Sequence, residues 1–283
     1  MKRFFTRKTV FILLIVLFAL VFLAGALSII SYFIESNKQK DTYDDLAGQI
    51  INTPETTTST DSSGEQVVTP TLPLEEDPYE LVEVTLPDGS TDKILRKYSK
   101  VYPQNTDMVG WMTIPGTEVN YPVMHTPDDP EYYLDKNFYK EDAKAGCLFI
   151  QSTCDVFIPS DNVTVYGHNM RDGSMFRVLE QYKEKSFWEE HKTITFDTIY
   201  EAHTYEIIAV FKTTATIGKG FAYHDFDFAA DEQAFNNFVE KCHNRELYET
   251  GLTAEYGDKL ITLSTCEYSQ VNGRLVVVAK RVS

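Results

Sequence analysis

Between Lys8 and Glu35 the chain carries no charged residue, and the run Val10 to Ile34 (VFILLIVLFALVFLAGALSIISYFI) is almost wholly apolar. At a rise of about 1.5 Å per residue, a helix of this length crosses a hydrocarbon core of about 30 Å with some tilt. Two readings fit the run: an uncleaved anchor, and a cleaved signal peptide with Ala24-Gly25-Ala26 as its processing site. Signal-peptide apolar regions are only about 7 to 15 residues long, which favours the anchor. Lys2, Arg3, Arg7 and Lys8 precede the run. The positive-inside rule then keeps the N-terminus in the cytoplasm and sends the C-terminal bulk outward, despite Lys38 and Lys40 on the far side. The expected plan is a cytoplasmic tail (1–8) and a single-pass transmembrane anchor (9–34), with an extracellular remainder.

Charge falls unevenly along the chain. Residues 1–40 hold six basic and one acidic residue, which leaves 20 positive against 41 negative charges for the rest. So acidic a surface repels phosphates and excludes a nucleic-acid grip. From about Asp41 to Pro78 the chain is rich in Thr, Ser, Glu, Asp and Pro. It offers too little apolar surface to offset the entropy of ordering it. The spacing predicts a flexible stalk over 35–78, followed by one folded domain over 79–283.

That domain reads as mainly β. Candidate strands are Leu81 to Leu86, Val109 to Ile114, Val119 to Met124, Gly146 to Ser152, Asn162 to Tyr166, Thr193 to Tyr200, Thr204 to Thr213, Lys259 to Ser264 and Arg274 to Val282. Many alternate between apolar and polar residues, with Gly, Pro, Asn and Asp between them. Pro87-Asp88-Gly89 reads as a turn, and Thr91 to Tyr102 as a short amphipathic helix with Ile94, Leu95, Tyr98 and Val101 on one side. Further helices are expected over Met175 to Tyr182, Ser186 to His191 and Asp231 to Leu247, the last with Phe235, Phe238, Val239 and Cys242 on one face. Strands with peripheral helices and no β-α alternation point to a barrel or sandwich and away from a parallel sheet.

Three separated residues carry chemical promise. Cys266 directly follows an apolar strand in KLITLSTCE, where a rigid element holds a thiol yet lets it face a cleft. The competing reading is a small buried hydrophobe. His168 ends a β-run in NVTVYGHNMRDGSMF, and Gly167 before it permits a close approach. The other histidines, 125, 191, 203, 224 and 243, lie in polar or loop-like stretches. Arg274 opens the last strand eight residues after Cys266, so neighbouring strands would set its guanidinium beside the thiol; alternatively it is an ordinary strand-end cation. Ser264, Thr265 and Glu267 flank the thiol as candidate substrate contacts: the first two through hydroxyls, with plain strand alternation as the other reading, and Glu267 through a backbone N–H that would complete an oxyanion hole. Asn162-Val163-Thr164 is a glycosylation sequon, discounted for its place inside a strand. Neither a metal-ligand cluster nor a phosphate-binding glycine loop is present in the sequence, so no cofactor is expected.

A strand-terminal TLSTC, an upstream YGHNMRDGSMF and an Arg opening the next strand resemble the sortase family, specifically its class B, over about residues 90 to 283. Val109-Gly110-Trp111 adds to the likeness. The resemblance implies an eight-stranded β-barrel with Cys266 as nucleophile, His168 as acid/base and Arg274 as substrate-holding cation. It also implies a helical insertion over Asp225 to Thr250. The implied reaction is cysteine transpeptidation: cleavage of a C-terminal NPxTx-like sorting signal after Thr on an exported protein, then transfer of the acyl group to a peptidoglycan-precursor amine. A pilus-polymerising sortase, joining pilins through a Lys amine, uses the same core residues. The family pattern gives Cys147, Cys154 and Cys242 no role; a bridge between Cys147 and Cys154 stays open, and Cys242 is expected in the core. Of another class altogether is a membrane-tethered binding or adhesion module with structural Cys266 and His168, which leaves three ordered motifs without a cause. A secreted Cys-His peptidase lacks its expected papain-like motif.

Overall fold

The computed structural model describes residues 7–50, 77–216 and 218–283. Its first element is helix α1 (Arg7–Gln49). Among the described residues it is the one helix long and apolar enough to cross a membrane. Residues 35–49, expected within the stalk, are helical. Tyr43 and Leu46 are buried, and Ala47 and Ile50 pack against the same core. Their spacing is one helical face, and the compact unit that follows the apolar run takes in Tyr43–Ser283. The remainder of the expected stalk, 51–76, and most of the expected cytoplasmic tail lie outside the described residues.

A closed eight-stranded barrel forms the body of this unit. Its strands are β3 (Met108–Thr113), β4 (Asn120–Met124), β5 (Leu148–Ile150), β6 (Asn162–Tyr166), β7 (Thr193–Thr198), β8 (Thr204–Thr214), β9 (Leu260–Glu267) and β10 (Gly273–Arg281), in the order β10-β8-β7-β3-β4-β5-β6-β9. Outside it, β1 (Leu81–Thr85) and β2 (Thr91–Leu95) make an antiparallel hairpin. Two pairs, β4 with β5 and β6 with β9, run parallel. No helix alternation announces them in the sequence, because distant segments meet through long connections.

The expected helix over Thr91 to Tyr102 is instead strand β2 followed by a 3-10 turn at Arg96–Tyr98. The turn at Pro87-Asp88-Gly89 decides this. Gly89 takes a φ of +84°, and Asp88 accepts hydrogen bonds from the Ser90 amide and hydroxyl. Thr91–Leu95 is thereby folded back along β1. Ile94, Leu95, Tyr98 and Val101 are all buried, so the apolar pattern was sound and its periodicity misleading.

Two apolar clusters flank the last two strands. Ile261, Leu263, Leu275 and Val277 join the main core, whereas Leu260, Val276 and Val278 pack with helix α2 (Glu232–His243). Phe235, Phe238, Val239 and Cys242 of α2 are buried there. Asp231 caps the helix by accepting from the Ala234 amide at 2.8 Å, satisfying one of the free N–H groups of the first turn. Alternation along β9 thus gives its two faces different surroundings. Asn162 is fully buried within β6.

Candidate active site

Strands β9 and β10 are antiparallel neighbours whose register sets Cys266 directly opposite Arg274. A parallel ladder joins β9 to β6 and ends with Tyr166 beside Ser264, so the chain leaving β6 delivers His168 to the same end of the barrel. Cys266, His168 and Arg274 all line one groove of about 300 Å³. Pro130, Leu134, Phe149 and Tyr166 contribute apolar wall, and Glu131 and Gln151 polar wall.

His168 is half-buried. Its Nε2 lies 2.8 Å from the Leu134 carbonyl oxygen. A carbonyl only accepts, so Nε2 carries the proton and Nδ1 holds the lone pair of the neutral ring. The Leu134 carbonyl is kept in place from behind: at Gly146, φ +56°, a Cβ would stand 2.4 Å from the Tyr133 oxygen and 2.5 Å from that of Leu134. Only a residue without a side chain permits this approach.

Arg274 donates to the Gly273 carbonyl at 3.0 Å and has no carboxylate partner among the described residues. Its positive charge therefore faces the groove without internal neutralisation, where it favours an oxyanion. Cys266 is partly exposed, whereas Cys147, Cys154 and Cys242 are buried; all four are free thiols. The bridge between Cys147 and Cys154 is not formed. Cys147 faces the Tyr43 hydroxyl at 3.2 Å and Cys154 faces Asp227 Oδ1 at 3.2 Å. Burial pushes the Cys147 thiol up to about 12 and also raises Cys154 and Cys242, leaving them poor nucleophiles.

The flanking candidates differ in what their side chains meet. Ser264 and Thr265 line the groove, but both are buried with their hydroxyls engaged: Ser264 Oγ with Tyr223 OH at 2.5 Å, and Thr265 Oγ1 donating to the Gly167 carbonyl at 2.7 Å. Glu267 does not line the groove. Its carboxylate is engaged elsewhere, accepting from Lys183 at 2.8 Å and from Ser269 Oγ at 2.6 Å. The sequence reading missed Tyr223 and Leu134. A tyrosine in a long connection gives no local signal, and a backbone carbonyl has no residue type to betray it.

A thiol, an imidazole with a free lone pair and an unneutralised guanidinium around one groove form a set suited to acyl transfer. Residues 112–282 match the Sortase domain family. Sortase B of Listeria monocytogenes is 35% identical over 198 residues, 69% of this chain and 77% of the relative. A crystal structure of sortase B from Bacillus anthracis in complex with AAEK1 superposes with a TM-score of 0.67 at 27% identity, covering 89% of this chain and 99% of that one. A Staphylococcus aureus sortase B–substrate complex gives 0.61 at 31% identity, covering 67% and 86%. These likenesses displace the reading of a non-catalytic adhesion module: the chain belongs to the sortase family, class B, and is a cysteine transpeptidase acting on sorting signals.

Proposed function

We propose that the protein is a single-pass membrane enzyme, N-terminus cytoplasmic and barrel outside, that cleaves an NPxTx-like C-terminal sorting signal of exported proteins after Thr. It then passes the acyl group to the amine of a peptidoglycan precursor. The observation that carries this reading is that Cys266 is the one partly exposed thiol among four and shares its groove with His168 and Arg274.

In this scheme His168 Nδ1 takes the Cys266 thiol proton as Sγ attacks the Thr carbonyl carbon, and the carbonyl π electrons move to oxygen. Arg274 stabilises that oxyanion with a charge already in place. The tetrahedral adduct collapses, the C–N bond breaks, and His168 in its imidazolium form gives its Nδ1 proton to the leaving amine. The neutral ring then takes a proton from the incoming amine as it attacks the thioester, and the departing sulfur recovers a proton from the ring, which restores the thiol. Apolar wall around Leu134, Phe149 and Tyr166 lowers the local dielectric and strengthens that stabilisation of the oxyanion. Anchoring enzyme and anchored substrate in one membrane plane raises their effective concentration, which favours an amine over water as acceptor.

The test is turnover of a fluorogenic NPxTx peptide with added amines, with products identified by mass spectrometry. The reading expects cleavage after Thr and an amide product, both absent in Cys266→Ala. Cleavage at another bond would refute the proposed specificity, and hydrolysis alone at saturating amine the proposed acceptor step.

A further inference from the structure

The β6–β9 ladder ends at Tyr166 and Ser264, two residues short of both His168 and Cys266. Regular pairing therefore does not fix how the imidazole sits relative to the sulfur. Three hydrogen bonds continue the lacing past the ladder. The Gly167 amide donates to the Ser264 carbonyl at 3.2 Å, and Thr265 Oγ1 donates to the Gly167 carbonyl at 2.7 Å. The last and farthest is Asn169 Nδ2 donating to the carbonyl of Cys266 itself, at 2.7 Å.

Asn169 is only 6% exposed. Its Oδ1 accepts from Arg177 Nη1 at 2.9 Å, and Nδ2 also reaches Glu180 Oε1 at 3.2 Å. Arginine only donates and a carbonyl or carboxylate only accepts, so these partners fix which end of the amide faces Cys266. The residue's own backbone is pinned by a bridge to Met175, and that of His168 by the Phe176 amide donating to its carbonyl at 2.9 Å.

We infer that Asn169 is a positioning residue of the transfer reaction: its amide ties the loop carrying His168 to the Cys266 carbonyl and so sets the spacing between imidazole and sulfur. The inference rests on the reading of Cys266 as nucleophile and His168 as acid/base. A misplacement of about 1 Å between reacting groups can lower a rate by about 10²-fold. The tether acts on the geometry of the reacting groups and leaves the apolar groove wall alone. Its loss therefore lowers kcat and leaves KM largely unchanged.

The experiment uses the full chain in detergent micelles and two substitutions. Asn169→Ala removes the amide. Asn169→Asp keeps the size and the bond from Arg177 but turns an oxygen toward the Cys266 carbonyl. Reactive Cys266 is titrated with a thiol probe, and kcat per titrated thiol and KM are measured on an NPxTx peptide. Both variants are expected to lose about tenfold or more in kcat per titrated thiol, with KM within about twofold of wild type. A purely structural role would lower the titrated fraction and leave kcat per thiol intact, and that result overturns the inference. Should neither variant fold, the exposed Arg177→Ala decides, because it releases the amide oxygen without touching the core. The tether then predicts about a threefold fall in kcat per thiol, and unchanged turnover overturns it. An inactive wild type, or an active Cys266→Ala, would instead sink the functional reading itself, so the two failures are distinguishable.

Discussion

Replacing Glu267 by Gln should remove a pH-dependent share of stability. The side chain of Glu267 is 3% exposed, and its carboxylate accepts from Lys183 at 2.8 Å, from the Ser269 amide at 3.1 Å and from Ser269 Oγ at 2.6 Å. Burial by itself disfavours the charge; the bonds from Lys183 and Ser269 outweigh it and hold the carboxyl at about 2, against an ordinary 4.5. That interval, at about 1.36 kcal/mol per pH unit, corresponds to roughly 3 kcal/mol. Lys183 keeps a second partner, Glu180, at 2.7 Å, so the expected loss at pH 7 is about 2 kcal/mol. Because the folded value lies below the unfolded one, the contribution is complete above about pH 4.5 and disappears as pH falls from there through about 2. Urea unfolding of wild type and Glu267→Gln in micelles, from pH 7 to pH 3, measures the difference. The wild type should lead by about 2 kcal/mol at pH 7 and by progressively less toward pH 3. A gap that does not change with pH would refute the ion-pair reasoning, and no gap at pH 7 would show that the clamp adds nothing.

Other outcomes follow from the same geometry. Iodoacetamide at neutral pH should alkylate Cys266 alone, as read by peptide mapping, since burial shields Cys147, Cys154 and Cys242 and raises their thiols; comparable labelling of Cys147 would contradict the assignment. Arg274→Lys should lower kcat/KM by about 10²-fold on an NPxTx peptide, because a flexible ammonium does not reproduce the planar guanidinium fork, and near-normal activity would remove Arg274 from the proposed mechanism. Gly146→Ala forces a Cβ against the Tyr133 and Leu134 carbonyls at positive φ. It should destabilise the fold by about 1 to 3 kcal/mol and lower kcat by displacing the acceptor of His168, as read by thermal melts and turnover. A neutral substitution would show that the Leu134 carbonyl needs no such support.

Much of the barrel was readable because its strands alternate and are punctuated by turn residues. Asn162–Tyr166 and Thr193–Thr198 stand where their patterns placed them. Failure came where one apolar set serves two periodicities. Ile94, Leu95, Tyr98 and Val101 fit a helix as well as a strand with a 3-10 turn, and only the preceding hairpin decides between them. At the end of α1, the apolar spacing of Tyr43, Leu46, Ala47 and Ile50 was legible but diluted by acidic and polar neighbours that suggested an unfolded stalk. Within the groove, the sequence pointed to the side chains that Cys266, His168 and Arg274 present. It could not supply the Leu134 carbonyl, which is a backbone atom, or Tyr223, which arrives from a long connection. For Glu267 the sequence offered a backbone N–H beside the sulfur and gave no sign of its side chain's partners, Lys183 and Ser269, which the fold brings from a distant turn and the next loop.

The proposed chemistry stands or falls on a covalent intermediate at one sulfur. Intact-mass and peptide-mapping spectrometry of the full chain, quenched in acid soon after mixing with an NPxTx peptide, looks for it directly. The expected result is a single acyl adduct ending in Thr, carried by the peptide containing Cys266, sensitive to hydroxylamine and missing from Cys266→Ala. Cleavage of the peptide by Cys266→Ala, or an adduct on Cys147, Cys154 or Cys242, would contradict it.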